Sequence, residues 1–159
     1  MSDECCPKFN PDKWNEKIQV WENKKFVKES MPTIFHMPLP GMISIKVKKL
    51  FGNAQKANAV SENTDEVLLL FRDPSAFKSE IYLSVEKELP DLGNTTLSWK
   101  FISKVFDWPY RDIPKFIEQM KQYLSGLWET PKDYYIHYAY CPKCIKKYGH
   151  NYMVIFAQV

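Results

Sequence analysis

Glycine is scarce in this chain, five among 159 residues, and none stands at the spacing of a Walker loop or a dinucleotide fingerprint. Such loops need closely spaced glycines so that backbone N–H groups can approach a phosphate. Kinase, nucleotide hydrolase and dehydrogenase readings fall away. Histidine is rarer still, at three, and neither a Ser-His-Asp nor a Cys-His-Asn order can be drawn through them. No apolar run approaches the roughly 20 residues that cross a bilayer, and residues 1–30 hold no apolar signal-peptide core. A cytoplasmic protein without membrane contact is expected. An excess of one charge is missing too: 22 Lys+Arg against 19 Asp+Glu give +3, spread along the chain, which argues against a nucleic-acid partner. The four cysteines form two tight pairs, Cys5-Cys6 and Cys141-Cys144, rather than a spread disulfide framework, which suits a reducing compartment.

Aromatic side chains are abundant: ten Phe, nine Tyr and five Trp. The length suffices for one sizeable core or two small coupled halves. Residues 1–25 read as an extended arm pinned by Trp14 and Trp21. Phe26 to Met37 reads as a strand interrupted at Pro32 and ended by PLPG at 38–41. A helix follows from Met42 to about Ala59, with Ile43, Val47, Leu50 and Ala54 on one face. EVLLLFR (66–72) and EIYLSVEKEL (80–89) read as strands joined through a D-P-S turn at 73–75, and TTLSWKFISKVF (95–106) as one long strand. IPKFIEQMKQYLSGLW (113–128) carries a helical stripe of Ile113, Phe116, Ile117, Met120, Leu124 and Leu127, before the strands YYIHYAY (134–140) and YMVIFAQV (152–159). The order strand, helix, strand, strand thus occurs twice, over 26–90 and 95–159. The expected architecture is a single α+β domain over 1–159 whose duplicated modules pack with pseudo-twofold symmetry around a ligand cleft.

This order, with KVFDWPYRDIPKFIEQM at 104–120, resembles the GyrI-like small-molecule-binding domain, in which a strand runs into a short Gly-Pro-Tyr turn and a helix. Trp108 stands where glycine is usual. CCPKF at 5–9, FHMPLP at 35–40 and YCPKCIKKYGHNY at 140–152 extend the likeness, over nearly the whole chain, to a prokaryotic subgroup known simply as hydrolases. The resemblance implies a protein that takes small hydrophobic aromatic xenobiotics into a cleft between its modules. One subset looks like cyclopropanoid cyclopropyl hydrolases, which open the strained ring of DNA-alkylating compounds with water and so protect the cell. Binding and sequestration without turnover stays open beside it, as does a zinc-stabilised interaction module.

A flat ligand would be gripped by stacking, and the cage candidates are Trp99, Phe101, Trp108, Tyr110, Tyr138 and Tyr140, each of which would otherwise be packing. Ring opening needs a group that activates the carbonyl destined to become a phenolate, and one that orients or deprotonates water. Tyr110 or His36 would serve the first purpose. Glu80 would serve the second, because the resemblance implies a strand-borne glutamate facing the ligand. His36 and His137 both fall in expected strands, where packing is the alternative. No cofactor is required by this chemistry.

A redox Cys-x-x-Cys opens a helix whose N-terminus lowers the thiol pKa. Here only IKKYGHN separates Cys144 from the next strand, so a tight hairpin turn is expected and redox chemistry is not. A structural zinc suits a C-P-K-C turn better, with Cys141 and Cys144 joined by one or both of Cys5 and Cys6 returning from the arm, and with His150 able to replace one ligand. Free thiols are the alternative.

Overall fold

The computed structural model describes Cys6 and residues 8–159; Cys5 and Pro7, both in the CCPKF stretch, lie outside the described residues. In chain order the strands and helices are β1 (Lys17–Val20), β2 (Lys24–Ile34), β3 (Met37–Pro38), α1 (Met42–Lys56), β4 (Leu69–Ser75), β5 (Lys78–Ser84) and β6 (Gly93–Leu97). They continue with β7 (Lys100–Asp107), α2 (Ile113–Gly126), β8 (Asp133–Tyr138), α3 (Pro142–Tyr148) and β9 (Tyr152–Gln158). Two compact units result, one of Glu22–Ser98 and one joining the residues up to Trp21 with Trp99–Val159. Each is α+β; β2, α1, β4 and β5 follow the order strand, helix, strand, strand in one, and β7, α2, β8 and β9 follow it in the other, with α3 inserted between the last two strands. Among the described residues no helix is long and apolar enough to cross a membrane.

In the Glu22–Ser98 unit the strands run antiparallel in the order β4-β5-β2-β6, with β3 as a stub paired to β2. Side chains alternate across a strand. Val27, Met31, Ile81 and Leu83 therefore meet Leu50 and Ala54 of α1, while Phe26, Lys28, Leu70, Arg72, Glu80 and Tyr82 take the opposite face. Glu29, on the helix side, accepts from Lys49 Nζ (2.6 Å) and Lys46 Nζ (3.1 Å) of α1. The bond from Lys49, with that from Lys46, holds its carboxyl below the usual range despite burial.

Pro32 does not interrupt β2. Thr33 N–H donates toward the β5 side at 3.1 Å, so the donor-less nitrogen of Pro32 points to the other side, where pairing with β6 ended at Lys28. β6 starts close against β2, and a Cβ on Gly93 would sit 2.6 Å from Lys28 O, which is why that position is glycine. The D-P-S stretch is not the turn: it lies inside β4, with a register shift between Arg72 and Ser75, and the chain reverses at Ala76-Phe77. α1 ends three residues before the expected Ala59, and Ile43 stays largely exposed.

In the other unit the antiparallel order is β1-β7-β9-β8. Phe116, Met120 and Leu124 of α2 pack against Ile102, Phe106, Met153, Ile155 and Ala157, while Leu127 is exposed instead of completing the stripe. Three expectations change. Within the arm Lys17–Val20 form a strand, because β1 pairs with β7 from Lys17↔Ser103 to Val20↔Lys100, and Trp14 and Trp21 are buried. The long strand over 95–106 is two, broken at Ser98-Trp99, with β6 in one unit and β7 in the other. The C-P-K-C stretch opens the helix α3 instead of a hairpin turn, with Pro142 in its first turn and Gly149 closing it at φ 71°.

Candidate functional site

Glu80 is the one carboxylate that the Glu22–Ser98 fold buries among cations. It is 2% exposed. Arg72 stands directly across from it on β4 and donates Nη1–H to Oε1 at 2.6 Å. Lys28 lies across from Tyr82 on β2, pairs with Glu80 Oε2 and holds its Nζ 5.6 Å from the Tyr82 ring centre. Tyr82, two residues along the same face, donates Oη–H to Oε1 at 3.3 Å. Burial pushes the Glu80 carboxyl up, but the bonds and charges of Lys28 and Arg72 outweigh it, so it is held below the usual range. Burial, then the Glu80 charge, pushes the Tyr82 phenol up to about 12. The Lys28 and Arg72 side chains are 35% and 27% exposed against 2% for Glu80, so both cations reach solvent and the carboxylate does not.

The structure does not bring His36 to this group. Phe35 (φ 48°) and His36 (φ 67°) form the two-residue turn between β2 and β3, with left-handed backbone at both positions. The His36 ring turns instead to Asp73, the residue after Arg72 on β4. Its Nδ1 lies 3.5 Å from Asp73 Oδ2.

The aromatic candidates all fall in the other unit, and they divide by exposure. Phe101 is fully buried, with its ring 4.5 Å from Trp21 and 5.8 Å from Tyr135. Phe156 joins this cluster at 5.5 Å from Trp21 and 5.6 Å from Trp14. Tyr140 is also buried, stacked 4.8 Å from Tyr148, and its Oη accepts from Phe9 N at 2.8 Å. Tyr138 is half-buried, with Tyr110 edge-on at 5.6 Å. Trp99, Trp108 and Tyr110 keep exposed faces, and Lys132 Nζ sits 5.3 Å from the Trp99 ring. Trp108 adopts φ 42°, the left-handed region glycine enters freely, so the backbone keeps the turn that glycine would make there. Its Nε1–H donates to Gly149 O at 3.5 Å. Tyr110 has its phenol pushed up by burial and by neighbouring Cys141, with Asn151 opposing. Two surface hollows, one lined by Lys25, Phe26, Glu88 and Asn94–Thr96 and one by Gln55, Asn58, Val60 and Glu62, touch none of the candidates.

The cysteines converge. The Sγ atoms of Cys6, Cys141 and Cys144 all lie within 4.8 Å of one another, and Cys141 N–H donates to Cys6 Sγ at 3.3 Å. All three are free of disulfides. Burial pushes the Cys6 thiol up, against the Cys141 amide, which lowers it. This donor set suits a soft divalent metal. His150 is not among these ligands: its Nδ1 pairs with Asp107 Oδ2 at 2.7 Å.

Lys28, Arg72 and Tyr82 are functional candidates that sequence reasoning missed. Tyr82 was within reach, two positions from Glu80 on a strand. The other two required the register of β2 and β4 against β5.

A family model described as bacterial hydrolase matches residues 1–159. No curated protein matches significantly. The solved structure of SAV2435 bound to tetraphenylphosphonium is similar in fold: TM-score 0.53 and 14% identity, over 91% of this chain and 93% of that one.

Proposed function

The chain belongs to the bacterial hydrolase family, and from its GyrI-like fold we propose that it binds flat, hydrophobic aromatic molecules bearing an acceptor oxygen and hydrolyses those with a strained cyclopropane ring. The observation that carries this is Glu80, buried and held by Lys28, Arg72 and Tyr82 on the sheet face turned from α1. SAV2435 takes a hydrophobic cation. Here the Glu80 charge is already balanced by two cations, so a third would meet like charge; a neutral ligand with a carbonyl is the better match.

For a cyclopropane conjugated to a dienone, the water oxygen bonds to a ring CH2 as the adjacent carbon–carbon bond breaks. The electron pair moves into the six-membered ring, the carbonyl oxygen becomes a phenolate, and the proton lost by water ends on that oxygen. Lys28 and Arg72 are the groups to stabilise the developing phenolate, a role the sequence reading put on Tyr110 or His36. Glu80 holds both cations in place and orients water. Trp99, Trp108 and Tyr110 keep exposed ring surface and are the stacking candidates of the other unit, where Trp99 stands before β7 and Trp108 and Tyr110 beyond its far end, so a flat ligand would meet one of these ends and not both. The reading needs no cofactor, and a zinc on the cysteine group would serve structure.

The lowered pKa of Glu80 makes it a weak base, which favours a second reading: binding and sequestration without turnover. Incubation with a cyclopropane-bearing DNA alkylator, followed by mass spectrometry, separates the two. Hydrolysis gives a product heavier by one water, and Arg72→Gln slows its formation. Tryptophan quenching with the compound recovered intact means sequestration, and neither effect with a panel of flat aromatics removes the ligand reading.

A further inference from the structure

We propose that Cys6, Cys141 and Cys144 supply three thiolates to one zinc ion, and that this ion clips the N-terminal segment to α3. Cys141 precedes the first turn of α3 and Cys144 sits within it, the short Cys-x-x-Cys spacing that wraps two sulfurs around one ion. Cys6 arrives from 135 residues away in sequence. Sulfurs about 2.3 Å from a tetrahedral zinc stand about 3.8 Å from one another, so a group already within 4.8 Å needs only a small inward movement.

Alternative uses of three adjacent thiols fit less well. One disulfide would leave an odd thiol in the same cluster, whereas a metal employs all three. Neutral thiols are poor hydrogen-bonding partners, which gives little reason to hold three together with Cys144 at 2% exposure. The Cys141 amide aimed at Cys6 Sγ supports a thiolate there as an outer-shell donor would. A zinc with three thiolates carries one net negative charge, and Lys143, Lys146 and Lys147 lie on α3 beside it. Among the described residues no histidine or carboxylate joins the group.

The zinc content of the full chain, purified under reducing conditions, tests this. One zinc per chain is expected, lost in Cys6→Ser, with cobalt giving the intense visible bands of a tetrahedral thiolate site. Cys6 is part-exposed, so that variant keeps the buried Cys144 in place. In the unmodified chain, chelation should lower Tm by several degrees and expose three thiols to alkylation, and added zinc should reverse both. A chain that neither carries zinc nor responds to added zinc overturns the proposal. So does full zinc retention in Cys6→Ser, or a disulfide within the cluster of the reduced preparation.

Discussion

The two units repeat one order of elements but finish the sheet face away from the helix with opposite chemistry. In Glu22–Ser98 that face holds Lys28, Arg72, Glu80 and Tyr82 around a buried carboxylate. In the other unit the corresponding face is a ring cluster of Trp14, Trp21, Phe101, Tyr135 and Phe156. The helix-covered faces, by contrast, are alike: Leu50 and Ala54 in one and Met120 and Leu124 in the other meet apolar strand residues that are mostly aliphatic. The element order therefore constrains the face that must cover a helix and leaves the other open to specialise. One specialised face rests on area and ring packing; the other rests on charge and so responds to pH.

The largest effect should come from the ring face. Phe101→Ala removes a fully buried ring and is expected to cost about 4 kcal/mol in urea unfolding. A loss below about 1 kcal/mol would mean that the cluster does not carry this face. Glu80→Gln comes next, at about 2 kcal/mol, since two charge-assisted bonds weaken but Lys28 and Arg72 keep some solvent. Its signature is acidic. The folded pKa of Glu80 is depressed, so its stabilisation is complete above the ordinary value of 4.5 and is lost as pH falls through the folded pKa. The glutamine variant should lack that part of the acid loss.

Tyr82→Phe should cost about 1 kcal/mol at neutral pH and change the alkaline limb. The phenol is raised from 10.0 to about 12, so the preference for the fold is full below the lower value and declines as pH rises between the two. The variant should decline less steeply there. Trp99→Ala is expected to be the smallest change, within about 0.5 kcal/mol in stability because the ring is half-exposed, while weakening aromatic ligand binding. An unfolding loss as large as that of Phe101→Ala would make Trp99 packing and take it off the stacking surface.

Both long helices and most strands were legible because their apolar periods are strong, as in Phe116, Met120 and Leu124. The turn at Phe35-His36 was not, because its two left-handed residues lack the Asn-Gly signal that usually marks them. The break at Ser98-Trp99 was hidden by an unbroken β-prone run, and only pairing of Leu97 with Lys24 on one side and Lys100 with Val20 on the other divides it. α3 could have been read from Pro142, Gly149 and the basic last turn. The brevity of IKKYGHN instead suggested a turn. At the site, Glu80 was picked out by the resemblance to the GyrI-like family, whereas its cationic partners come from β2 and β4, and register between separate strands is not written in local sequence.

The most direct test measures affinity for two flat aromatic ligands of equal size, one neutral with a ring carbonyl and one a lipophilic cation, by calorimetry with the unmodified chain and Arg72→Gln. Tighter binding of the carbonyl compound, lost in Arg72→Gln, is the expected result. Tighter binding of the cation by the unmodified chain, with the carbonyl compound unaffected by Arg72→Gln, would contradict it.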